Sequence, residues 1–295
     1  ALNSANRAPE LIIQDELHLI SGPLGTMVGL YESAIDALCR KKGNITKIVA
    51  STATIRRAVE QCAALYDRDV SQFPHPALDA EDSFFARESK IDYGNEIFGR
   101  KYVGLMPSGK TKAMMEIRSM AAMLQKAKDM DVSDKVKDKL WTLTAYYNSL
   151  KDLGKAATMV DDDVKDFMKR MCYRLKSNVE VRKIGTADEL TSRVSTTQLN
   201  QTLDKLEKNE YSAENMQKHV PPYPCNVLLA TNMISVGIDV ARLNVMLLVG
   251  QPKLTSEYIQ ASSRVGREFP GVAFTMYDGG KSRDRSHYEQ FRPYH

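Results

Sequence analysis

Leu11-Ile12-Ile13-Gln14-Asp15-Glu16-Leu17-His18 opens with an apolar run and closes on two adjacent carboxylates and a histidine. A short apolar run ending on charge reads as a buried strand with acids at its carboxyl end. That arrangement suits a Mg-nucleotide: Asp15 can hold the metal through its water shell, and Glu16 can orient and deprotonate the water that attacks a γ-phosphate. The pattern is short, and an acidic cluster closing a strand reads the same way.

Working outward, Thr52-Ala53-Thr54 closes a second apolar strand, Ile48-Val49-Ala50. Much later, Ala230-Thr231-Asn232-Met233-Ile234-Ser235-Val236-Gly237-Ile238-Asp239 follows the strand Val227-Leu228-Leu229. Gln260-Ala261-Ser262-Ser263-Arg264-Val265-Gly266-Arg267 comes last. In this order the four stretches resemble motifs II, III, V and VI of superfamily 2 helicases and translocases, the DExH group. Leu19-Ile20-Ser21-Gly22-Pro23-Leu24-Gly25 and Glu189-Leu190-Thr191-Ser192-Arg193-Val194 resemble the large helicase-like proteins of bacterial antiphage islands of the DISARM type.

The resemblance implies an α/β fold of RecA-like parallel sheets flanked by helices, with ATP and Mg²⁺ as cofactors and nucleic acid as partner. Its antiphage side favours DNA over RNA and adds other defence subunits as partners. It also implies roles. Asp15 holds Mg²⁺ through water, Glu16 is the catalytic base, and His18 links the nucleotide site to the interdomain cleft. Thr52 and Thr54 couple the two domains. Gln260 attends the water and γ-phosphate, and Arg264 and Arg267 reach the β- and γ-phosphates, where planar guanidinium donors stabilise developing charge. Thr231 contacts a nucleic-acid phosphate, while Gly237 and Asp239 serve the nucleotide. Val236 departs from the polar residue common before that glycine, and Ser263 stands where glycine is usual. Taken singly, His18 also reads as a structural histidine, Thr52 and Thr54 as caps of a helix near Ile55, and the two arginines as a basic helix face.

Composition permits this without demanding it. The 295 residues suggest about two domains, and 43% apolar content suffices for ordinary cores. No apolar run reaches the ~20 residues a bilayer span needs, and the start lacks a signal-peptide layout, so the cytoplasm is the expected location. Cys39, Cys62, Cys172 and Cys225 form no CxxC pair and read as buried thiols. A net charge of +4 is too small to identify a nucleic-acid binder.

Apolar stretches at 11–14, 47–51, 101–106, 140–146, 179–184, 226–230, 244–249 and 272–277 alternate with helical patterns, as parallel α/β sheets require. Phe73-Pro74-His75-Pro76 opens a polar linker. The expected organisation is the carboxyl-terminal part of one RecA-like domain over 1–75, a linker over 76–98, and a nearly complete second RecA-like domain over 99–295. With only two strands before the linker and no phosphate loop before Asp15, the chain reads as a carboxyl-terminal piece of a longer motor, inactive by itself. Helices are expected over 111–128, with Met114, Ile117, Met120, Ala121 and Leu124 as a buried stripe, over 195–208, and over 161–170, with Asp161-Asp162-Asp163 as an acidic first turn.

Gly104-Leu105-Met106-Pro107-Ser108-Gly109-Lys110-Thr111 satisfies the G-x-x-x-x-G-K-[ST] pattern between a strand and a helix. In P-loop enzymes the acidic strand follows that loop, whereas here Asp15-Glu16 precedes it. The expected reading is a vestigial loop in domain 2, with Lys110 available to a nucleic-acid phosphate. An independent P-loop NTPase and a non-catalytic, nucleic-acid-binding relic of a motor are the alternatives.

Overall fold

The computed structural model describes residues 7–20, 22–52, 57–75, 77–79, 82, 84–85, 87, 89–95, 99–175, 180–232 and 240–295. Thr54, Gly237 and Asp239 lie outside the described residues, as does Val236. The chain forms two compact units, Ala1–Ser89 and Lys90–His295.

In the first unit, β1 (Leu11–Gln14) pairs in parallel with β2 (Lys47–Ala50), and the register sets Gln14 opposite Ala50. Helices α1 (Gly22–Lys41) and α2 (Ala58–Tyr66) accompany them. β1 is not the buried strand its apolar run suggests. Among the described residues it has one hydrogen-bonded neighbour, and Ile13 is 72% exposed.

Among the described residues of the second unit, six strands form one parallel sheet in the order β3-β8-β7-β4-β6-β5. They are β3 (Arg100–Leu105), β4 (Leu143–Tyr147), β5 (Asp188–Leu190), β6 (Val227–Ala230), β7 (Val245–Val249) and β8 (Gly271–Met276). β4 and β6 are buried at every position, which is why they read as unbroken apolar runs rather than alternating ones. The flanking helices are α3 (Lys112–Asp129), α4 (Asp134–Trp141), α5 (Leu150–Met159), α6 (Lys165–Arg174), α7 (Thr196–Lys208), α8 (Ala213–Lys218), α9 (Thr255–Ser262), α10 (Ser282–Glu289) and α11 (Phe291–Tyr294). One core layer packs α3, α5 and α6 against the sheet through Met120, Leu124, Leu153 and Met168. The other gathers Leu206, Leu243, Tyr258 and Val265. All four cysteines are buried and unbridged.

Three expectations change. Met114 is 38% exposed, so the buried stripe of α3 starts a turn later, around Met120, Ala121 and Leu124. Asp161-Asp162-Asp163 is no helix start: α5 runs through a π-turn at Val160–Val164 into α6, which puts the acids mid-helix with Asp161 paired to Lys165 at 2.9 Å. The segment expected as a strand at 179–184 is irregular from Glu180 onward, and the edge strand forms at Asp188–Leu190. Side chains rather than a ladder hold that segment. Gln125 accepts from the Arg182 amide at 2.9 Å and donates to the Glu180 carbonyl at 3.2 Å.

A buried ion pair ties α4 to the entry of β7. The Arg242 guanidinium donates to Asp138 and to the carbonyls of Leu206 (3.2 Å) and Asn209 (2.7 Å), with both charged side chains about nine-tenths buried. Arg242→Met strands the Asp138 carboxylate with the Tyr211 amide, at 2.6 Å, as its remaining donor among the described residues. The expected cost is about 3–5 kcal/mol in urea unfolding. Arg170→Met, at an exposed pair with Asp166, should cost about 0–1 kcal/mol. Equal losses would contradict this account of the pair.

Candidate functional site

At the carboxyl end of β1 the chain turns sharply. Glu16 takes a left-handed conformation, φ 55°, and a one-turn 3₁₀ segment, Leu17–Leu19, follows. Such a conformation costs a non-glycine residue roughly 1 kcal/mol and persists only where neighbours hold it. The Leu17 amide does so by donating to the Ser51 carbonyl at 3.0 Å, and Leu17 itself is buried. Gln61 on α2 clamps the other side, its Nε2 donating to the Ile20 carbonyl at 2.7 Å.

The turn gathers Asp15, Glu16, His18 and Thr52. The Glu16 amide donates to Asp15 Oδ1 at 2.9 Å, and the Ser51 hydroxyl donates to the same oxygen. These bonds, the Ser51 one foremost, hold the Asp15 carboxyl below its ordinary pKa. His18 Nδ1 lies 3.0 Å from Thr52 Oγ1 and 3.3 Å from Glu16 Oε2, so one imidazole nitrogen contacts both stretches. Ser51 is the participant that sequence reading missed. It precedes Thr52 directly, and the β1–β2 register sets it beside Asp15.

In the second unit the candidate residues fall on opposite edges of the sheet. Thr231 follows β6 at the carboxyl edge and is 6% exposed. The loop holding Lys110 leaves β3 at the same edge, with Lys110 exposed and Gly109 at φ +65°. Two positions of the pattern are engaged within the fold. A β-carbon at Gly104 would stand 3.0 Å from the Phe291 ring, so a side chain covers the pattern's first glycine. The Thr111 hydroxyl, which a P-loop turns to Mg²⁺, caps α3 by accepting from the Met114 amide at 3.2 Å.

Gln260 lies on α9, and Arg264 and Arg267 lie in the turn after it. The Gly266 amide donates to the Leu243 carbonyl at 3.1 Å, just before β7, so this turn sits at the amino edge. Gly266 has φ +69°, and a β-carbon there would approach Gly271 Cα to 2.9 Å, so only glycine fits between the arginines. Ser263 is the reverse case. Its φ of −72° is ordinary right-handed backbone, and serine costs nothing there. The exposed Arg267 folds back, Nε donating to the Ser263 carbonyl at 3.3 Å. Arg100, at the start of β3, braces the turn through Val265 O (2.6 Å) and Ser263 O (3.3 Å). No sequence signal announces that contact, which spans more than half the chain.

Residues 169–268 match the helicase conserved C-terminal domain. The parallel sheet and its helices are those of a RecA-like helicase C-terminal domain. The chain is 43% identical to the DISARM protein DrmA of Bacillus paralicheniformis, over 97% of its own length and 25% of that protein's. It therefore spans about a quarter of the length of the curated relative it matches. The DUF1998 helicase MrfA, in a crystal structure bound to DNA and AMPPNP, aligns with a TM-score of 0.61 at 13% identity, over 97% of this chain and 33% of that one. Mss116p bound to ssRNA and AMP-PNP aligns at 0.57 and 11%, over 96% and 46%. At those identities the likeness is one of fold. The resemblance to superfamily 2 helicases, and to the DISARM helicase-like proteins, holds.

Proposed function

We propose that this chain is the part of an ATP-driven DNA translocase that carries its catalytic carboxylates and its phosphate-facing arginines, working in defence against phage. The observation that carries the reading is the hydrogen-bonded set at the end of β1 and β2, where Asp15 is fixed by Ser51 and His18 contacts both Glu16 and Thr52. Asp15 suits Mg²⁺. It is an exposed carboxylate kept ionised, its hydrogen bonds among the described residues fall on Oδ1, and Oδ2 is left for a metal-bound water. Bound ATP supplies the phosphoanhydride bond that drives the motor. Glu16 holds and deprotonates the attacking water, and His18 passes the state of that turn to Thr52. Arg264 and Arg267 serve the phosphates, with Gln260 beside them, while Thr231 and Lys110 serve the nucleic-acid strand at the other edge.

DNA is favoured over RNA by the kinship with a DISARM protein, 43% identical over the quarter of it that this chain spans, and by the fold shared with a helicase crystallised on DNA. Anisotropy of labelled single strands with the full-length protein and a non-hydrolysable ATP analogue tests this. Tighter binding of DNA than of RNA of equal length and sequence is expected, and the reverse order overturns the assignment.

Lys110 separates the reading from an independent P-loop enzyme. In the full-length protein Lys110→Ala should leave ATP affinity unchanged, weaken single-strand binding and lower its salt slope by about one, since one fewer counterion is released. Titration with labelled ATP, and with a short strand at two salt concentrations, checks both. Loss of ATP binding would make the loop over 104–111 the true nucleotide cradle.

A further inference from the structure

Arg100 opens β3, and the parallel register sets it opposite Gly271, the first residue of β8. A β-carbon on Gly271 would stand 2.5 Å from Gly266 Cα, so the turn after α9 rests directly on the start of β8, glycine against glycine. That close seat brings the carbonyls of the turn within reach of Arg100 on the neighbouring strand.

All three guanidinium nitrogens are engaged. Nε donates to the Val265 carbonyl at 2.6 Å, Nη2 to the Ser263 carbonyl at 3.3 Å, and Nη1 to the Tyr102 hydroxyl at 3.1 Å. Tyr102 lies two residues further along β3, hence on the same face of the sheet, so the planar group is aimed by its own strand before it meets the turn.

The two arginines of the turn depend on this clamp unequally. Arg264 still belongs to the end of α9, its amide donating to the Ala261 carbonyl at 3.2 Å. Arg267 lies beyond the Val265–Gly266 peptide, and the setting of that peptide decides where Arg267 starts, because Gly266, at φ +69°, has no side chain to restrict the backbone. Arg100 holds the carbonyl of that same peptide. The Ser263 carbonyl is shared, since it accepts from Arg267 Nε at 3.3 Å as well. An Arg267 that leaves for a phosphate gives up this bond while the carbonyl keeps the one from Arg100, so the departure strands no acceptor at the helix end.

We infer that Arg100 is a positioning residue for Arg267: it fixes the peptide from which Arg267 projects and keeps the Ser263 carbonyl bonded when Arg267 moves to the nucleotide. The inference rests on the reading that Arg267 serves the phosphates. Arg100→Lys keeps the charge and most of the stem, but an ammonium lacks the planar fork that spans two carbonyls and a hydroxyl. Single-turnover ATP hydrolysis and nucleotide titration would be run on the full-length protein as wild type, Arg100→Lys, Arg267→Ala and the double variant. Arg100→Lys should slow the chemical step by about tenfold with ATP affinity within about twofold, since small misplacements of a catalytic group cost rate more than binding. In the Arg267→Ala background the same change should alter the rate by no more than about twofold, because the group it positions is gone. Arg100→Gln, which cannot span the two carbonyls either, should show the same pattern. Equal losses in both backgrounds would make Arg100 a structural brace alone and overturn the inference, as would a wild-type rate in Arg100→Lys. A wild-type rate in Arg267→Ala by itself overturns the phosphate reading, and this inference with it, and that single variant reports it separately.

Discussion

Glu16→Gln in the full-length protein is expected to slow ATP turnover by about 10² or more while leaving ATP affinity within about twofold. Glutamine keeps the size and hydrogen-bonding reach of the side chain, so the left-handed turn held by Ser51 and Gln61 should survive. What is lost is the ability to take a proton from water. A 10² effect is about 2.7 kcal/mol of transition-state stabilisation, more than the single 3.3 Å contact to His18 could account for by itself. Single-turnover hydrolysis with parallel nucleotide titration separates the two quantities. Near-normal turnover would reduce Asp15-Glu16 to an acidic strand end.

Arg267→Ala is expected to lower turnover by up to ~10³, the scale on which an arginine supplied to a transferring phosphoryl group acts. Structural damage cannot supply that much. Arg267 is exposed, and a bond such as the one it donates to the Ser263 carbonyl at a helix end is worth roughly 0.3–1 kcal/mol. Arg267→Lys should rescue little, because an ammonium lacks the planar fork. Rescue to near wild-type rates would show that only charge matters there. The brace from Arg100 adds a positioning layer: with that residue intact, the turn should hold its shape in both variants.

Much of the sheet was legible because its strands are buried on both faces and so appear as short apolar runs, as in Leu143–Tyr147 and Val227–Ala230. The segment from Glu180 to Leu190 was not, because Arg182 and Gln125 fix it by side-chain bonds and the ladder starts later. The Asp161 tract misled for a local reason. Acids in a row mark a helix start by their dipole preference, but here packing of Val160 and Val164 carries the helix through them. In the site, the order of motifs singled out Asp15, Glu16, His18 and Thr52. Ser51 and Arg100 stayed hidden because each acts through strand register or a long-range contact that spacing does not encode. The glycine-lysine loop shows the converse: its pattern was complete in sequence, and only the structure shows the Phe291 ring beside Gly104 and the Thr111 hydroxyl capping α3.

Steady-state ATP hydrolysis by the full-length protein, with and without single-stranded DNA, tests most directly whether these residues belong to a nucleic-acid-driven ATPase. The account predicts hydrolysis that rises with DNA and is lost in the Glu16→Gln and Arg267→Ala proteins while both still bind DNA. Hydrolysis indifferent to DNA and RNA, or equally fast in all three proteins, would contradict it.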